Sequence, residues 1–437
     1  MQNVAFSRPL RAYTVGLLTF IYTANYVDRQ IVAILLPAIK QDMNLTDTQL
    51  GLLSGLAFAL FYATLGIPIA YLADRYSRKK IIITALTLFS IMTYCCGLAQ
   101  NYVQLLLARI GVGIGEAGTS PPSHAIISDM YAPNERAAPL AIFALGINIG
   151  LFVAFLGGGY VAQHYGWQMA FKLVAIPGLV LALIAIFTMR DPPRGMSDQT
   201  DAATQDKSTA PSLREVALYM WRTRSIRQMT MATTLIITVG YGAIAWLPSL
   251  LYRVHGMNQV DIGLVLAVII GLGGGLGTAV GGAVADRLGK RDVRWNLWLI
   301  MLVSLATTPF SLFAYTNSSS FWTLILLIPP VTVGALYFGP TLAMLHTLVR
   351  PDMRSSASAI TLFINNIIGL GLGPLSIGIL SDALEPRFGG MALPYAMCAT
   401  ALIGIWACYH MFIAARHLPD DIAATQQAAG PQAQVTR

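Results

Sequence analysis

The chain has 437 residues, 55% hydrophobic and only 11% charged, against roughly 25% charged residues in a soluble domain. A mean hydropathy of +0.62 and 39 glycines exclude an ordinary soluble fold and fit a helical membrane protein of many spans, where glycine lets helices approach closely. The formal charge of +8 does not read as a nucleic-acid surface, because Lys and Arg sit in short connectors between apolar runs rather than along one exposed face.

Crossing the hydrocarbon takes about 20 apolar residues per helix. Such runs fall at 13–36, 48–72, 81–99, 104–128, 138–162 and 169–189, and after a polar connector at 229–252, 260–285, 295–315, 321–347, 357–381 and 392–415. The pattern predicts an all-α membrane protein of twelve helices in two six-helix bundles, residues 1–189 and 227–415, with a cytoplasmic linker at 190–226 and a cytoplasmic tail at 416–437. The first run is too long for a signal peptide, carries Asp28 and Arg29, and lacks a small-residue cleavage site. It is expected to stay as the first helix.

Asn25-Tyr26-Val27-Asp28-Arg29-Gln30 interrupts the middle of span one. A charge at the bilayer centre costs about 2.5–3.5 kcal/mol on insertion scales, so these side chains face a water-filled cavity or a partner on another helix. Neighbours in sequence point about 100° apart on a helix. Asp28 and Arg29 therefore share a cavity without making an ideal mutual pair.

After span two comes Ala70-x-x-x-Asp74-Arg75-x-Ser77-Arg78-Lys79-Lys80, and 212 positions later, after span eight, Gly282-x-x-x-Asp286-Arg287-x-Gly289-Lys290-Arg291. A second set repeats at an offset of 218: Pro133, Arg136, Ala141, Ile142 and Asn148 after span four, and Pro351, Arg354, Ala359, Ile360 and Asn366 after span ten. Two apolar halves with matching acidic and basic clusters are the mark of a duplicated membrane bundle, the architecture of secondary transporters.

Span four holds Arg109-Ile-Gly111-Val-Gly113-Ile-Gly115-Glu116-Ala-Gly118. Glycines at every second position cover more than one helix face and admit close neighbours. Glu116 lies seven residues after Arg109, two turns on and on much the same face. A carboxylate whose access to water and to Arg29 or Arg109 changes between conformations can load and release a proton; a static salt bridge is the other reading. Pro121-Pro122 predicts a kink, with the hydroxyls of Thr119, Ser120 and Ser123 re-satisfying freed backbone groups. His124 reads as an interface histidine, or as a titrating group.

The linker opens with Asp191-Pro192-Pro193-Arg194-Gly195 and runs into a Ser/Thr/Asp/Gln-rich stretch, which predicts flexibility; residues 213–226 predict a short basic interfacial helix. The second half has no intramembrane carboxylate matching Asp28 or Glu116, and Gly334 stands 218 positions after Glu116. Its expected cavity residues are Tyr241, Trp246, Tyr337, Asn365 and Asn366, with packing or interfacial anchoring as the alternative for the aromatics. Charges in one half and an aromatic, apolar wall in the other suit an amphipathic substrate. Gly271-x-Gly273-Gly-Gly275-x-Gly277 reads as a packing face, since no strand precedes it and no Lys follows at P-loop spacing. Lys172 is expected to snorkel. Cys95, Cys96, Cys398 and Cys408 all fall in apolar runs without metal or redox spacing, and no cofactor or metal is expected.

Orientation follows from the basic residues. The side holding both termini, the basic hairpins and the linker carries 22 Lys and Arg, while the other side carries Lys40, Arg253 and Arg387. The positive-inside rule puts both termini in the cytoplasm, with the chain in the inner (plasma) membrane.

Twelve spans, a central linker and basic hairpins in both halves resemble the major facilitator superfamily over residues 10 to 415. The first hairpin departs from the family pattern, with Ala70 and Ser77 where Gly is usual. The resemblance implies a cytoplasmic latch, made by Asp74 and Arg75 with Glu135 and Arg136 in the first half and by Asp286 and Arg287 with Arg354 in the second; Arg109 is grouped with these gating residues. Asn25-Tyr26-x-Asp28-Arg29, Gly115-Glu116-Ala, Pro121-Pro-Ser-His124 and Ser128-Asp129-x-x-x-x-x-Glu135-Arg136 together resemble the Spinster branch. That branch is associated with movement of lysophospholipids and sphingolipid-like molecules, with proton coupling in some members. The resemblance implies Asp28 as proton site, Arg29 as its partner and headgroup contact, and Glu116 as a second coupling carboxylate.

The expectation is a monomeric, proton-coupled transporter of a small amphipathic, lipid-like substrate, its partners being that substrate, protons and membrane lipids, with no nucleic acid. Competing readings are a drug efflux pump or organic-anion:proton symporter, a lipid-acting membrane enzyme, and a transporter-shaped receptor. The enzyme reading lacks a nucleophile–base pair or metal cluster within any span. The receptor reading lacks a signalling appendage.

Overall fold

The computed structural model describes residues 6–73, 75–197, 211–334 and 336–428. Among them the regular structure is helical: α1 (Arg8–Met43), α2 (Asp47–Ser54), α3 (Leu56–Ala73), α4 (Arg78–Cys96), α5 (Tyr102–Glu116), α6 (Ser120–Met130), α7 (Ala137–Tyr165) and α8 (Trp167–Thr188). After the linker come α9 (Leu213–Arg222), α10 (Arg224–His255), α11 (Gln259–Leu266), α12 (Gly274–Gly289), α13 (Trp295–Thr316), α14 (Ser320–Val333), α15 (Phe338–Leu348), α16 (Arg354–Ile364), α17 (Gly373–Phe388) and α18 (Ala392–Ala428). π-helical turns at Ala267–Gly273 and Asn365–Leu372 join α11 to α12 and α16 to α17. With these joints and the breaks below, the described helices form the twelve apolar segments that the hydrophobic runs predict, plus α9.

Eight stretches among the described residues are long and apolar enough to cross a membrane by length and composition alone. One of these, Arg354–Gln427, contains two spans. The three spans that escape the criterion do so for visible reasons. In α1 the charges of Asp28 and Arg29 interrupt the run, and the fourth and tenth spans are each broken into two helices.

Those breaks follow the sequence repeat. α5 stops at Glu116 and α6 starts at Ser120, while α14 stops at Val333 and α15 starts at Phe338. Residues 117–119 correspond to 335–337 at the offset of 218. Pro121 and Pro122 open α6, where a missing N–H costs nothing. As expected, hydroxyls take up freed carbonyls: Thr119 Oγ1 donates to the Glu116 carbonyl at 2.8 Å and Ser123 Oγ to that of Thr119 at 2.7 Å. Likewise Gly55, which separates α2 from α3, corresponds at the offset of 212 to Ala267, where the first π turn begins.

Helix ends overrun the apolar limits where nothing stops them. α1 runs to an Asn44 in the left-handed region, φ 51°, and α18 continues through residues 416–428 of the expected tail. Contacts divide the chain into two compact units. The first takes residues up to 205 together with 247–271; the second takes 206–246 and 272–437.

Candidate functional site

In the first unit α1 and α5 bring together the charges of spans one and four. Asp28, Arg109 and Glu116 are each 1% exposed. Arg29 donates to Glu116 Oε2 through Nη2 at 2.7 Å and Nε at 3.2 Å. Arg109 Nη1 lies 3.9 Å from Asp28 Oδ1 and 3.5 Å from the Asp28 carbonyl oxygen. Neither Asp28 carboxylate oxygen accepts a hydrogen bond of ordinary geometry, and Glu116 Oε1 accepts none. The adjacent residues of α1 thus serve different partners on α5, as their 100° separation requires.

Aromatic rings surround the Arg29 guanidinium. Its carbon lies 4.6 Å from the Tyr62 ring centre, 4.9 Å from Phe58 and 5.0 Å from Tyr26, and the Arg109 guanidinium shares Phe58 at 5.4 Å. Ring faces attract cations most strongly when water is excluded. Asn25 Nδ2 donates to Thr119 Oγ1 across the α5–α6 break. His124 packs edge-on against Phe143, with ring centres 5.0 Å apart, and Tyr22 stacks on the same Phe143 ring at 4.3 Å.

The alternating glycines explain how α5 reaches this place. A methyl group at Gly113 would stand 2.7 Å from the Phe58 carbonyl oxygen of α3. At Gly115 it would stand 2.6 Å from the Phe89 nitrogen of α4, and at Gly111 2.6 Å from the Met92 side chain. Positions 111 and 115 share one face and 113 the opposite one, so α5 is clamped between two neighbours. On α7, Gly150 would place a methyl 2.5 Å from Tyr26 Cβ, which seats α1.

In the second unit two of the expected residues, Tyr337 and Asn365, come together at one cavity, and Trp246 lies apart from it. Tyr337, at the break before α15, lines a small cavity with Thr230, Thr233, Thr341 and Asn365, and a second cavity of about 110 Å³ with Thr307, Thr308 and Ser311. Asn365 Oδ1 accepts from Thr234 Oγ1 at 2.9 Å, and Asn366 is half-buried beside it in the π turn. Tyr241 is half-buried on α10. Trp246 has no exposed surface, and its indole N–H donates to the Pro374 carbonyl at 2.9 Å; in this structure it packs α10 onto α17 rather than lining open space.

The latch residues behave unequally. Asp74 lies outside the described residues. Arg75 is exposed and stacks on Tyr71 at 4.0 Å, Glu135 is exposed, and Arg136 donates to the Tyr131 carbonyl at 2.9 Å. Asp286, Arg287 and Arg354 are exposed, and no hydrogen bond or ion pair joins them among the described residues. Arg354 turns back to the His346 carbonyl at 3.1 Å instead, closing the end of α15.

The linker opening departs from the flexible expectation. Asp191 Oδ2 accepts from Ser77 Oγ at 2.7 Å, at the start of α4, and Arg194 Nη2 donates to the Tyr76 carbonyl at 3.0 Å. The Gly195 N–H donates to Asp129 Oδ1 at 3.0 Å, and Ser197 Oγ donates to the Tyr131 carbonyl at 2.9 Å. Asp129 also pairs with Arg78 of the basic hairpin. Residues 191–197 form a strap across the ends of α3, α4 and α6; the Pro/Gly composition set a chain path, φ 66° at Gly195, and the polar side chains fixed it in place.

Several participants escape a reading of isolated motifs. Phe58 and Tyr62 sit in a plain apolar run. The Arg78–Asp129 pair joins a hairpin to the end of α6. Asp47 joins Lys40 at 2.6 Å and Arg253 at 2.8 Å; its only local sign is the Thr46-x-x-Gln49 capping box, which marks a helix start but names no partner.

A buried four-charge core among twelve apolar helical segments, carried by a duplicated fold, defines a membrane transporter of the secondary type. The chain belongs to the Major Facilitator Superfamily, whose sequence signature matches residues 18–374. It is 34% identical over 410 residues to an MFS-type efflux pump of Mycolicibacterium smegmatis, covering 92% of both chains. It is 27% identical over 437 residues to Protein spinster homolog 1 of Homo sapiens, covering 92% of this chain and 80% of that one. The crystal structure of a bacterial homolog to the human lysosomal transporter Spinster, in an inward-facing and unoccupied conformation, superposes with a TM-score of 0.86 at 29% identity over 95% of this chain and 99% of that one. These relatives are transporters, not enzymes.

Proposed function

We propose that this chain is a proton-coupled secondary transporter that works by alternating access on a small amphipathic substrate of the lysophospholipid or sphingolipid kind. The observation that supports it is the buried cluster of Asp28, Arg29, Arg109 and Glu116, walled by aromatic rings. Protonating a carboxylate of such a cluster removes its hold on a guanidinium. The guanidinium released can then receive an anionic headgroup, and deprotonation calls it back. Asp28 and Glu116 are the coupling carboxylates. Arg29, Asn25 and Tyr26 meet the headgroup, and Tyr241, Tyr337, Asn365 and Asn366 meet the apolar part, with Trp246 holding their helices. Asp74, Arg75, Glu135, Arg136, Asp286, Arg287 and Arg354 act at the cytoplasmic latch between bundles 1–189 and 227–415. The protein sits as a monomer in the inner membrane with both termini cytoplasmic.

The experiment is flux of a fluorescent lysophospholipid into proteoliposomes, with and without an imposed pH gradient, in wild type and Asp28→Asn. Gradient-dependent flux lost in the variant supports the reading. Retained proton-driven flux in folded Asp28→Asn removes Asp28 from coupling. Drug efflux is the second reading, favoured by the identity to the mycobacterial pump. Resistance conferred on a drug-sensitive host, with no lysophospholipid flux, would select it.

A further inference from the structure

Between the linker and span seven, α9 lies at the end of the second unit. Only Thr223 separates it from α10, and extended backbone there, ψ 111°, turns the chain out of one helix and into the next. The apolar run of span seven begins at 229, about 9 Å of helix beyond that turn, which puts α9 at the depth of the lipid headgroups. The end of α15 fixes the same level, since the Tyr219 hydroxyl donates to the Leu348 carbonyl at 2.9 Å. Ser225, just past the turn, donates its N–H to Asp421 Oδ2 at 2.8 Å and its hydroxyl to the Ala414 carbonyl at 3.2 Å. The corner is thereby pinned to α18.

α9 has two faces. Val216 and Met220 are buried in the core of the second unit. Opposite them Arg214, Leu218 and Trp221 form one stripe at i, i+4 and i+7, with Arg222 beside it; Leu218 is 45% and Trp221 60% exposed. Arg214 and Arg222 are exposed, and among the described residues neither makes a hydrogen bond or an ion pair. They stand about 12 Å apart along the helix axis. The acid of this helix, Glu215, is taken up at its own start, where Oε2 accepts from the Ser212 N–H at 2.7 Å in a capping box. Arg227 of α10 adds a third guanidinium, which donates to the Trp221 carbonyl at 3.0 Å and lies 5.6 Å from its ring centre.

We propose that this stripe docks on anionic phospholipid headgroups of the adjoining leaflet, with Arg214 and Arg222 each on a phosphate and Trp221 and Leu218 in the boundary between headgroups and acyl chains. An interfacial helix gains from apolar burial and from attraction to anionic lipid together. Here the second unit covers the face that such a helix turns to water, and lipid takes the other. Trp is a side chain that membrane–water boundaries favour, and an arginine stem follows apolar surface while its head reaches the phosphate. Water alone would answer the charges and leave Leu218 and Trp221 wetted; a membrane of anionic lipid answers both. The docking is separate from the transported molecule and anchors the far end of the linker to the leaflet.

The test reads Trp221 fluorescence from the full chain in nanodiscs of phosphatidylcholine and phosphatidylglycerol at one fixed ratio. Bromine, a quencher, is carried on the acyl chains of either lipid in turn, at equal amounts of brominated lipid. The difference between wild type and Trp221→Phe isolates this one of the seven tryptophans. Brominated phosphatidylglycerol is expected to quench Trp221 at least twice as strongly as brominated phosphatidylcholine, and high salt should shrink that excess. Arg214→Gln/Arg222→Gln, in protein that elutes as one peak, is expected to abolish it. Equal quenching by the two lipids in wild type overturns the choice of anionic lipid, and an excess that survives in the double variant removes the two arginines from the site. Trp221 untouched by either lipid but quenched by aqueous iodide overturns the docking altogether, leaving the stripe to water or to an acidic protein.

Discussion

Adding one methyl group at Gly113 sets a measurable conflict between two helices. The new carbon would lie 2.7 Å from the Phe58 carbonyl oxygen, about 0.7 Å inside the 3.4 Å at which ordinary contact begins. That oxygen belongs to helix backbone and cannot swing aside, so α5 itself must move. Gly115 closes the retreat, because α4 stands equally near on the other face. Overpacking of this kind costs about 1–3 kcal/mol, and the better helix propensity of Ala returns up to about 1 kcal/mol. Gly113→Ala is therefore expected to lose about 1–2 kcal/mol. Gly157 on α7 is exposed, with nothing within 4 Å of an added methyl, so Gly157→Ala keeps only the propensity gain of up to about 1 kcal/mol. The same chemical change carries opposite signs at two positions of one bundle. Thermal unfolding in detergent reads both, and Gly113→Ala/Gly115→Ala should fall by more than the sum of the single losses, since the two sites share one displacement. A Gly113→Ala protein as stable as wild type, or a Gly157→Ala protein that falls as far, refutes the clamp.

Glu116→Gln breaks the buried Arg29–Glu116 pair, a change of about 3–5 kcal/mol for such a pair, reduced by the three ring faces that still hold the guanidinium; the fall in Tm measures it. Asp28→Asn should cost less in the same assay, since its carboxylate accepts no ordinary hydrogen bond and its nearest cation stands at 3.9 Å. Asp129→Asn weakens both its pairing with Arg78 and its bond to Gly195, so trypsin cleavage after Arg194 is expected to accelerate at least tenfold on a gel time course. Trp246→Phe gives up one buried N–H···O bond and leaves the Pro374 carbonyl unmet, a loss of about 1–3 kcal/mol in Tm-based stability.

The segment order and the charge-bearing spans were legible because both rest on local chemistry. Apolar run length fixes a span, and an ionised side chain in such a run demands a partner. The spacing of Arg109 and Glu116 placed both on one helix face, and α5 does present both to α1. What stayed hidden depended on distant parts of the chain. Phe58 and Tyr62 become a cation box only when α3 meets α1. Trp246 reads as a cavity aromatic until Pro374 supplies its acceptor. The strap at 191–197 has a flexible composition, yet Asp129 and Tyr131 at the end of α6 and Ser77 at the start of α4 hold it in place. The repeat was visible as residues, but its deeper expression is in the backbone, where breaks recur at the same offsets with different causes. Pro121 and Pro122 follow the first break, whereas Pro329 and Pro330 precede the second.

The four-charge cluster also has an electrical meaning. Two carboxylates and two guanidiniums sum to zero when all are ionised, so the empty cluster is blind to the voltage across the bilayer. One bound proton makes it a single positive charge, and moving such a charge through the full field is worth about 2.3 kcal/mol per 100 mV. With a neutral substrate, a cycle built on this cluster would feel the membrane potential only on the leg that carries the proton. An anionic headgroup bound together with that proton would cancel its charge and leave the loaded leg as blind to the voltage as the other.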